Sequence, residues 1–486
     1  MNEKLSMKTS AMINIGSKYI VVMIQLVYQA ILARLLTPND YGIVAVITVF
    51  VNFFAVIADL GVGNAIIQNQ TLDEDDINSI FSWSVRISIG LAVIFCFLSI
   101  PISVIYSDNV YLILGPMLSL AVLFSALNMV PNALLLKKKK FLVIGIRQVV
   151  VCVACSIVAI VLALTGFGYY ALVIYSILTA LFNFLWNMRG SGLKLRVRYS
   201  RDSIGKVRSF SMYLLAYNVV NYFSRNIDNL VIGRVFGNEE LGYYNKAYQL
   251  MLYPMNYLAN VVTPVLLPFL AEFQDKVDYV YKQYIKTVKL LSLLGVYIAV
   301  FCFFSSYELI SILYGSQWVG TVAYFQILSI TIWSQMICAT ASSMFQVLDK
   351  TKLQFIRAVV LVGTIVVGVG IGAYVGSVTV IAFMIMLSYT SYFITMLYYL
   401  VKKSFHKSIW GFLKNLIPDA AIAVILSFVL YGIGCIGIEN VFASFFVKLI
   451  VSAVVYFICL IVMKQFVYFE AVMPDSVKRI FQKLHI

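Results

Sequence analysis

Charge is what this sequence has least of. Only 12% of its 486 residues are Asp, Glu, Lys or Arg, about half the share carried by an ordinary soluble domain. A chain so poor in charge cannot clothe a soluble surface, and no stretch of it has room for a separate soluble domain. Histidine is nearly missing as well, with His406 and His485 alone, and no metal cluster or nucleophile–base constellation can be assembled from the sequence. There is no GxxxxGK[ST] phosphate loop, which excludes a P-loop ATP site. The seven cysteines all lie in apolar blocks. Cys152 and Cys155 form a CxxC, but inside a lipid-type helix and without a second pair, so packing is the expected role. The opening MNEKLSMKTSAMINIG lacks the short apolar core and small-residue cleavage site of a signal peptide, so the first span is expected to stay. No cofactor is expected.

What is present is apolar. Hydrophobic residues make up 62% of the chain, in blocks of about twenty that each suffice to cross the roughly 30 Å hydrocarbon core as a helix. With turn signals as boundaries, fourteen spans are expected near 10–35, 41–63, 77–104, 110–135, 143–165, 169–187, 209–236, 241–270, 284–306, 320–346, 354–374, 377–400, 414–434 and 441–463. The breaks TPND, YSDN, TGFG, GNEE and YGSQ fall on one side and hold no Lys or Arg. QNQTLDEDD, KKKK, RGSGLKLRVRYSRDSIGKVR and VKKSFHK fall on the other, which with both termini carries most of the 36 Lys and Arg. The positive-inside rule makes that side cytoplasmic. The formal charge of +15 is then topology first and attraction to anionic lipid headgroups second. It gives no reason to expect nucleic acid.

The chain repeats itself. ARLLTPNDYG (33–42) aligns with GRVFGNEELG (233–242), setting Arg34, Asp40 and Gly42 against Arg234, Glu240 and Gly242 at an offset of 200. At an offset of 210, Ser119, Lys140, Arg147 and a following Val-Val meet Ser329, Lys350, Arg357 and Val-Val. Two ordered matches indicate duplicated six-span halves. Six is even, so the halves run the same way through the membrane, as in transporters that bind substrate between parallel repeats. The expected organisation is an N-lobe over 1–188, a basic linker over 189–208, a C-lobe over 209–400, and two further spans with a tail over 401–486.

Polar residues line up on four helices. At 100° per residue, Asn14, Lys18, Gln25 and Gln29 fall within about 60° of arc on span 1, and Thr48, Asn52 and Asp59 within about 40° on span 2. Span 7 gathers Asn218, Asn221, Arg225, Asp228 and Asn229 within about 100°, and span 8 gathers Asn245, Gln249, Asn256 and Asn260 within about 60°, with Lys246 at the edge. These are the first two helices of each half. Amides facing lipid would cost a few kcal/mol each, and ionisable groups at membrane depth mark substrate or ion pathways. The four ridges are therefore expected to line a hydrated cavity. Arg34 and Arg234 lie beside the external turn and are read as interface anchors. Arg86, Lys448, Asp419 and Glu308 lie outside the striped helices and are read as structural.

LLTPNDYGIVAVITVFVNFFAVIADLGVGNAIIQ (35–68) and DNLVIGRVFGNEELGYYNKAYQLMLYP (228–254) resemble the polysaccharide flippases of the multidrug/oligosaccharidyl-lipid/polysaccharide exporter superfamily. The nearest likeness is to Wzx-type exporters of O-antigen, teichuronic acid and exopolysaccharide. The resemblance implies an all-α polytopic fold of two six-helix lobes plus two helices. It also implies a substrate of polyprenyl-pyrophosphate-linked oligosaccharide, moved from the inner to the outer leaflet by alternating access. Lys18, Arg225 and Lys246 would then meet pyrophosphate or acidic sugars. Gln25, Asn52, Asn218, Asn221, Asn245, Gln249 and Asn256 would meet hydroxyls, and Tyr28, Tyr217, Tyr222 and Tyr253 could stack on sugar faces, although packing is the first expectation for each. Asp59 and Asp228 are the residues expected to take up H⁺ or Na⁺. A bacterial plasma membrane location with both termini cytoplasmic follows.

Two rival readings remain at this point. An ion-coupled drug or metabolite antiporter of the same superfamily should have an acidic cavity, whereas this one leans basic. An enzyme joining lipid-linked glycans would need a substantial external loop with acid/base groups, and the external turns here are only a few residues long.

Overall fold

The computed structural model of the chain describes residues 7–59, 62–69, 72–194, 219, 222–223, 225–259 and 270–470. All regular structure among them is helical. Eleven helices are long and apolar enough to cross a membrane, and a twelfth span is formed if Gly320–Ser329 and Thr331–Val347, bent by 50°, count as one. These twelve coincide with twelve of the expected spans. The other two, near 209–236 and 241–270, fall in part on residues outside the described set, as does most of the expected 189–208 linker.

Local chemistry sets the helix ends. TPND opens α2 (Pro38–Asp59) with a reciprocal cap. The Thr37 hydroxyl accepts from the Asp40 N–H at 3.2 Å, and the Asp40 carboxylate accepts from the Thr37 N–H at 2.9 Å. Pro38 fills the first helical position, where its missing N–H costs nothing. Asp73 caps α4 (Glu74–Tyr106) by accepting from the Asp76 N–H at 2.6 Å, and Glu74, Asp75 and Asp76 place negative charge at the positive end of that helix.

The chain divides into two compact units, Met1–Gly242 and Tyr243–Ile486. In the first, α1 (Met7–Leu35) lies along α7 (Phe141–Leu164), and Tyr28, Leu32 and Leu36 pack on Ala159, Ala163 and Ala171. The buried face of α4 carries Ser84, Ser88, Ala92, Ser99 and Ser103. Such small residues allow the backbone approach on which membrane helix packing depends. A methyl placed on Gly115 of α5 (Val110–Leu127) would lie 2.1 Å from the Ser99 Cβ. After α5 follow α6 (Met129–Lys137), α7 and α8 (Tyr170–Ser191). The lysines of KKKK cap helix ends as well as adding charge. Lys137 donates to the Asn69 carbonyl at 2.8 Å, just past α3 (Val62–Gln68), and Lys140 donates to Gly190 at 3.1 Å, in the last turn of α8.

A ninth helix, α9 (Ile227–Val235), also belongs to the first unit. The Tyr106 hydroxyl donates to the Leu230 carbonyl at 3.0 Å, and the Tyr222 hydroxyl, just ahead of α9, donates to Val49 of α2. It is followed by α10 (Asn238–Pro254), whose first turn meets the first turn of α2 in a reciprocal contact. A Cβ on Gly42 would fall 1.7 Å from the Asn238 carbonyl oxygen, and one on Gly242 would fall 2.0 Å from that of Pro38. Residues 38 and 42 thus meet 242 and 238, the partners shifted by the repeat offset.

In the second unit, α11 (Val277–Phe304) packs against α14 (Thr331–Ala339) and α19 (Ile417–Cys435). Between them in sequence lie α12 (Ser306–Leu313), α13 (Gly320–Ser329), α15 (Ala341–Val347), α16 (Thr351–Val375), α17 (Val378–Met396) and α18 (Ile409–Lys414), and α20 (Val441–Val462) follows. The second repeat offset reappears in the backbone. The spans Val110–Lys137 and Gly320–Val347 match end for end, α7 and α16 start 210 apart, and the intervening turns place Lys139 and Asp349 at φ 54° and 53°.

Charges read as structural prove to be paired in this unit. Asp419 of α19 accepts from Lys289 and from the Ser292 hydroxyl of α11, with both ends of the ion pair fully buried. Lys448 of α20 meets Glu308 of α12 at 2.5 Å, joined by the Ser444 hydroxyl at 2.7 Å. Each of the last two spans is thereby tied to the body of the unit by one ion pair.

Candidate functional site

Of the ridges predicted on α1 and α2, Lys18 and Asn52 are exposed and Gln25 is half-buried. Asp59 is the last residue of α2. Arg225 is half-buried in the turn before α9, and Asp228 is buried in the first turn of that helix. The Asp228 carboxylate accepts from the Asn229 N–H at 2.9 Å, a position where the helix dipole favours negative charge. Asn218, Asn221, Tyr217 and Asn260 lie outside the described residues.

In the second unit, Asn245 and Gln249 sit one turn apart on α10 and share a hydrogen bond of 2.7 Å. Lys246, on the adjoining face, is only 1% exposed. Its ammonium lies 5.1 Å from the Tyr314 ring centroid and 5.8 Å from that of Trp318, so aromatic faces carry part of the cost of burying it. Asn256 is exposed on the π-helical turn Met255–Ala259. Of the tyrosines, Tyr28 stacks on Tyr175 at 4.6 Å, Tyr222 is bonded to α2, and Tyr253 leans on Tyr257. All three make packing contacts.

A second polar constellation is spread over three helices and forms no stripe on any one of them. Arg147, seven residues after Lys140 on α7, is 5% exposed, and no carboxylate among the described residues pairs with it. Its guanidinium donates to the Asn187 side-chain oxygen of α8 and to that of Asn132 of α6, the latter at 3.2 Å. The Asn187 amide nitrogen in turn donates to Asn128, between α5 and α6, at 2.8 Å and to Asn132 at 3.3 Å. Asn128 and Asn132 also line a cavity of about 340 Å³ in this unit, with Ser125, Ala55, Ala58 and Gly63. The sequence signal is an arginine alone in an otherwise uncharged span, aligned by the repeat with Arg357. Its repeat partner Arg357 is as deeply buried, but is held by the Tyr392 carbonyl at 3.2 Å and the Tyr392 ring at 4.0 Å.

These arrangements bind rather than react. Amide donors, guanidinium and ammonium groups offer hydrogen bonds and positive charge to oxygen-rich ligands.

Relatives, solved structures and a family model all match this chain. The chain is 24% identical over 320 residues to the lipopolysaccharide biosynthesis protein WzxC of Escherichia coli (strain K12), covering 64% of each chain. It therefore spans just under two thirds of that relative's length. In fold it is similar to the lipid II flippase MurJ, with a TM-score of 0.74 at 15% identity, covering 93% of this chain and 98% of that one. It is also similar to an inward-facing multidrug resistance MATE family transporter of the MOP superfamily, with a TM-score of 0.61 at 15% identity and coverages of 85% and 98%. Residues 31–323, more than half of the chain, match the polysaccharide biosynthesis protein family. With its apolar multi-pass helices and donor-rich polar surfaces, this chain belongs to that family.

Proposed function

We propose that the protein is a flippase that carries polyprenyl-pyrophosphate-linked oligosaccharide from the cytoplasmic to the outer leaflet of the bacterial plasma membrane, with both termini cytoplasmic. The observation that carries this reading is the family match over residues 31–323 on a fold similar to that of a lipid II flippase. The physical task is to move pyrophosphate and sugar hydroxyls past a hydrocarbon layer in which an isolated ion costs tens of kcal/mol. Two six-helix lobes that open alternately to either face, with the ridges of Lys18, Gln25, Asn52, Asn218, Asn221, Arg225, Asn245, Gln249 and Asn256 turned to a shared hydrated path, would remove that cost while the polyprenyl tail stays in lipid; Lys246 is buried against Tyr314 and Trp318 rather than on that surface. Lys18 and Arg225 would engage the pyrophosphate. Asp59 or Asp228 would take up H⁺ or Na⁺ to reset the transporter. The fold is also similar to a multidrug transporter, but cationic drugs require acidic partners, and these ridges lean basic.

Complementation tests both parts. A host lacking the protein should accumulate lipid-linked oligosaccharide, and the wild-type chain should clear it. A charge-assisted contact contributes about 1.5–3 kcal/mol, so Lys18→Ala with Arg225→Ala should cut export about tenfold or more at equal membrane abundance. Asp228→Asn or Asp59→Asn should remove the dependence of export on the ion gradient. Full export by the double alanine variant would reject the pyrophosphate contacts, and undiminished gradient dependence in both asparagine variants would reject the coupling role.

A further inference from the structure

Hydrogen-bond polarity around Arg147 has a consequence for the cavity beside it. A guanidinium can only donate, so the oxygens of Asn187 and Asn132 must both face it. That fixes the flip of Asn187, whose NH₂ group is then turned onto the oxygens of Asn128 and Asn132. Both of those oxygens are now occupied, and each residue is left with an NH₂ group that no acceptor among the described residues satisfies. Asn128 and Asn132 are half-buried and line the 340 Å³ cavity. One buried cation therefore orients three amides in series and leaves the cavity wall with donors.

Charge points the same way. Buried ions cost several kcal/mol unless paired, and Arg147 has amides for neighbours and a side-chain Nε–H without an acceptor among the described residues. Among the described lining residues none is acidic. At the duplicated position, Arg357 rests on aromatic faces instead, so among the described residues the repeat carries over the arginine without the amide array.

We infer that this cavity is an oxyanion-binding site, with Asn128 and Asn132 as the direct donors and Arg147 as the residue that orients them and supplies the field. Its ligand class is a group of anionic oxygens: the phosphates of a pyrophosphate link or the carboxylate of an acidic sugar. That the occupant belongs to the carried headgroup rests on the flippase reading; the existence of the site does not.

The probes are inorganic pyrophosphate and glucuronate, titrated calorimetrically into the purified full-length protein in buffer free of phosphate and sulfate. Saturable binding of either, weakened at least tenfold in Asn132→Asp and in Asn128→Asp, is expected. Asn132→Asp should fold, because its carboxylate would pair with Arg147, yet it replaces donors with negative charge. Binding of pyrophosphate alone assigns the linkage, and binding of glucuronate alone assigns the sugar. Binding of neither, or wild-type affinity in both variants, overturns the site. Probe binding in a protein whose deletion leaves lipid-linked intermediates unchanged would keep the site and sink the flippase reading. Full export by an Asn132→Asp variant that no longer binds the probe would overturn the headgroup assignment.

Discussion

Gly42→Leu is expected to remove most of the folded protein from the membrane, and export with it. The obstacle is backbone rather than side chain. A methyl at residue 42 would already lie 1.7 Å from the Asn238 carbonyl oxygen and 2.4 Å from its carbon. No rotamer change can relieve that contact; the first turns of α2 and α10 must separate. Overpacking a core ordinarily costs about 1–3 kcal/mol, occasionally more, and a clash with main chain belongs at the upper end. Separation would also disturb the Thr37–Asp40 cap and the bond from the Tyr111 hydroxyl to the Asn238 side chain at 3.1 Å. Gly242→Leu should behave alike, because its clash with Pro38 mirrors the first. Gly90→Ala on α4, where nothing lies within 4 Å, should change little. Detergent-solubilised yield and thermal midpoint report all three, and a Gly42→Leu protein with a wild-type midpoint would refute the crossing.

Asp419→Ala should be nearly as damaging. The substitution strands the Lys289 ammonium, only 2% exposed, with the Asn415 carbonyl at 2.7 Å as its remaining close partner. It also frees the Ser292 hydroxyl, which otherwise links Asp419 to the Trp333 indole N–H at 2.8 Å. Breaking a buried pair from one side costs about 3–5 kcal/mol. Replacing both partners with apolar residues of similar size, Lys289→Met with Asp419→Leu, should recover most of that loss, since it removes the uncompensated charge. A double variant no more stable than Asp419→Ala would show that the cost lies in shape rather than charge.

How much of this was legible beforehand depends on how far apart the interacting residues lie. Apolar block lengths declared the spans and TPND the break before α2, while the Thr37–Asp40 cap inside that break, although only three residues long, went unread. Gly42 and Gly242 could be matched as repeats, but their mutual close approach is a three-dimensional fact. Asp419, Glu308 and Lys448 could be set aside as structural because they lie off the polar ridges. Their pairing crosses some 130 residues for Lys289–Asp419 and 140 for Lys448–Glu308, and no local pattern reveals it. The amide array failed to register for a related reason. Helical periodicity finds ridges on one helix, whereas Asn128, Asn132, Arg147 and Asn187 come from α6 with the residue before it, α7 and α8, at one or two per helix.

The measurement closest to the central claim is leaflet-resolved transport in vesicles that contain only this protein and a short-chain polyprenyl-pyrophosphate-linked oligosaccharide. If the protein is a flippase, the glycan becomes accessible on the opposite face at a rate set by wild-type protein and sharply reduced by Lys18→Ala with Arg225→Ala. Equal accessibility with and without protein, while a cationic dye is exported, would contradict it.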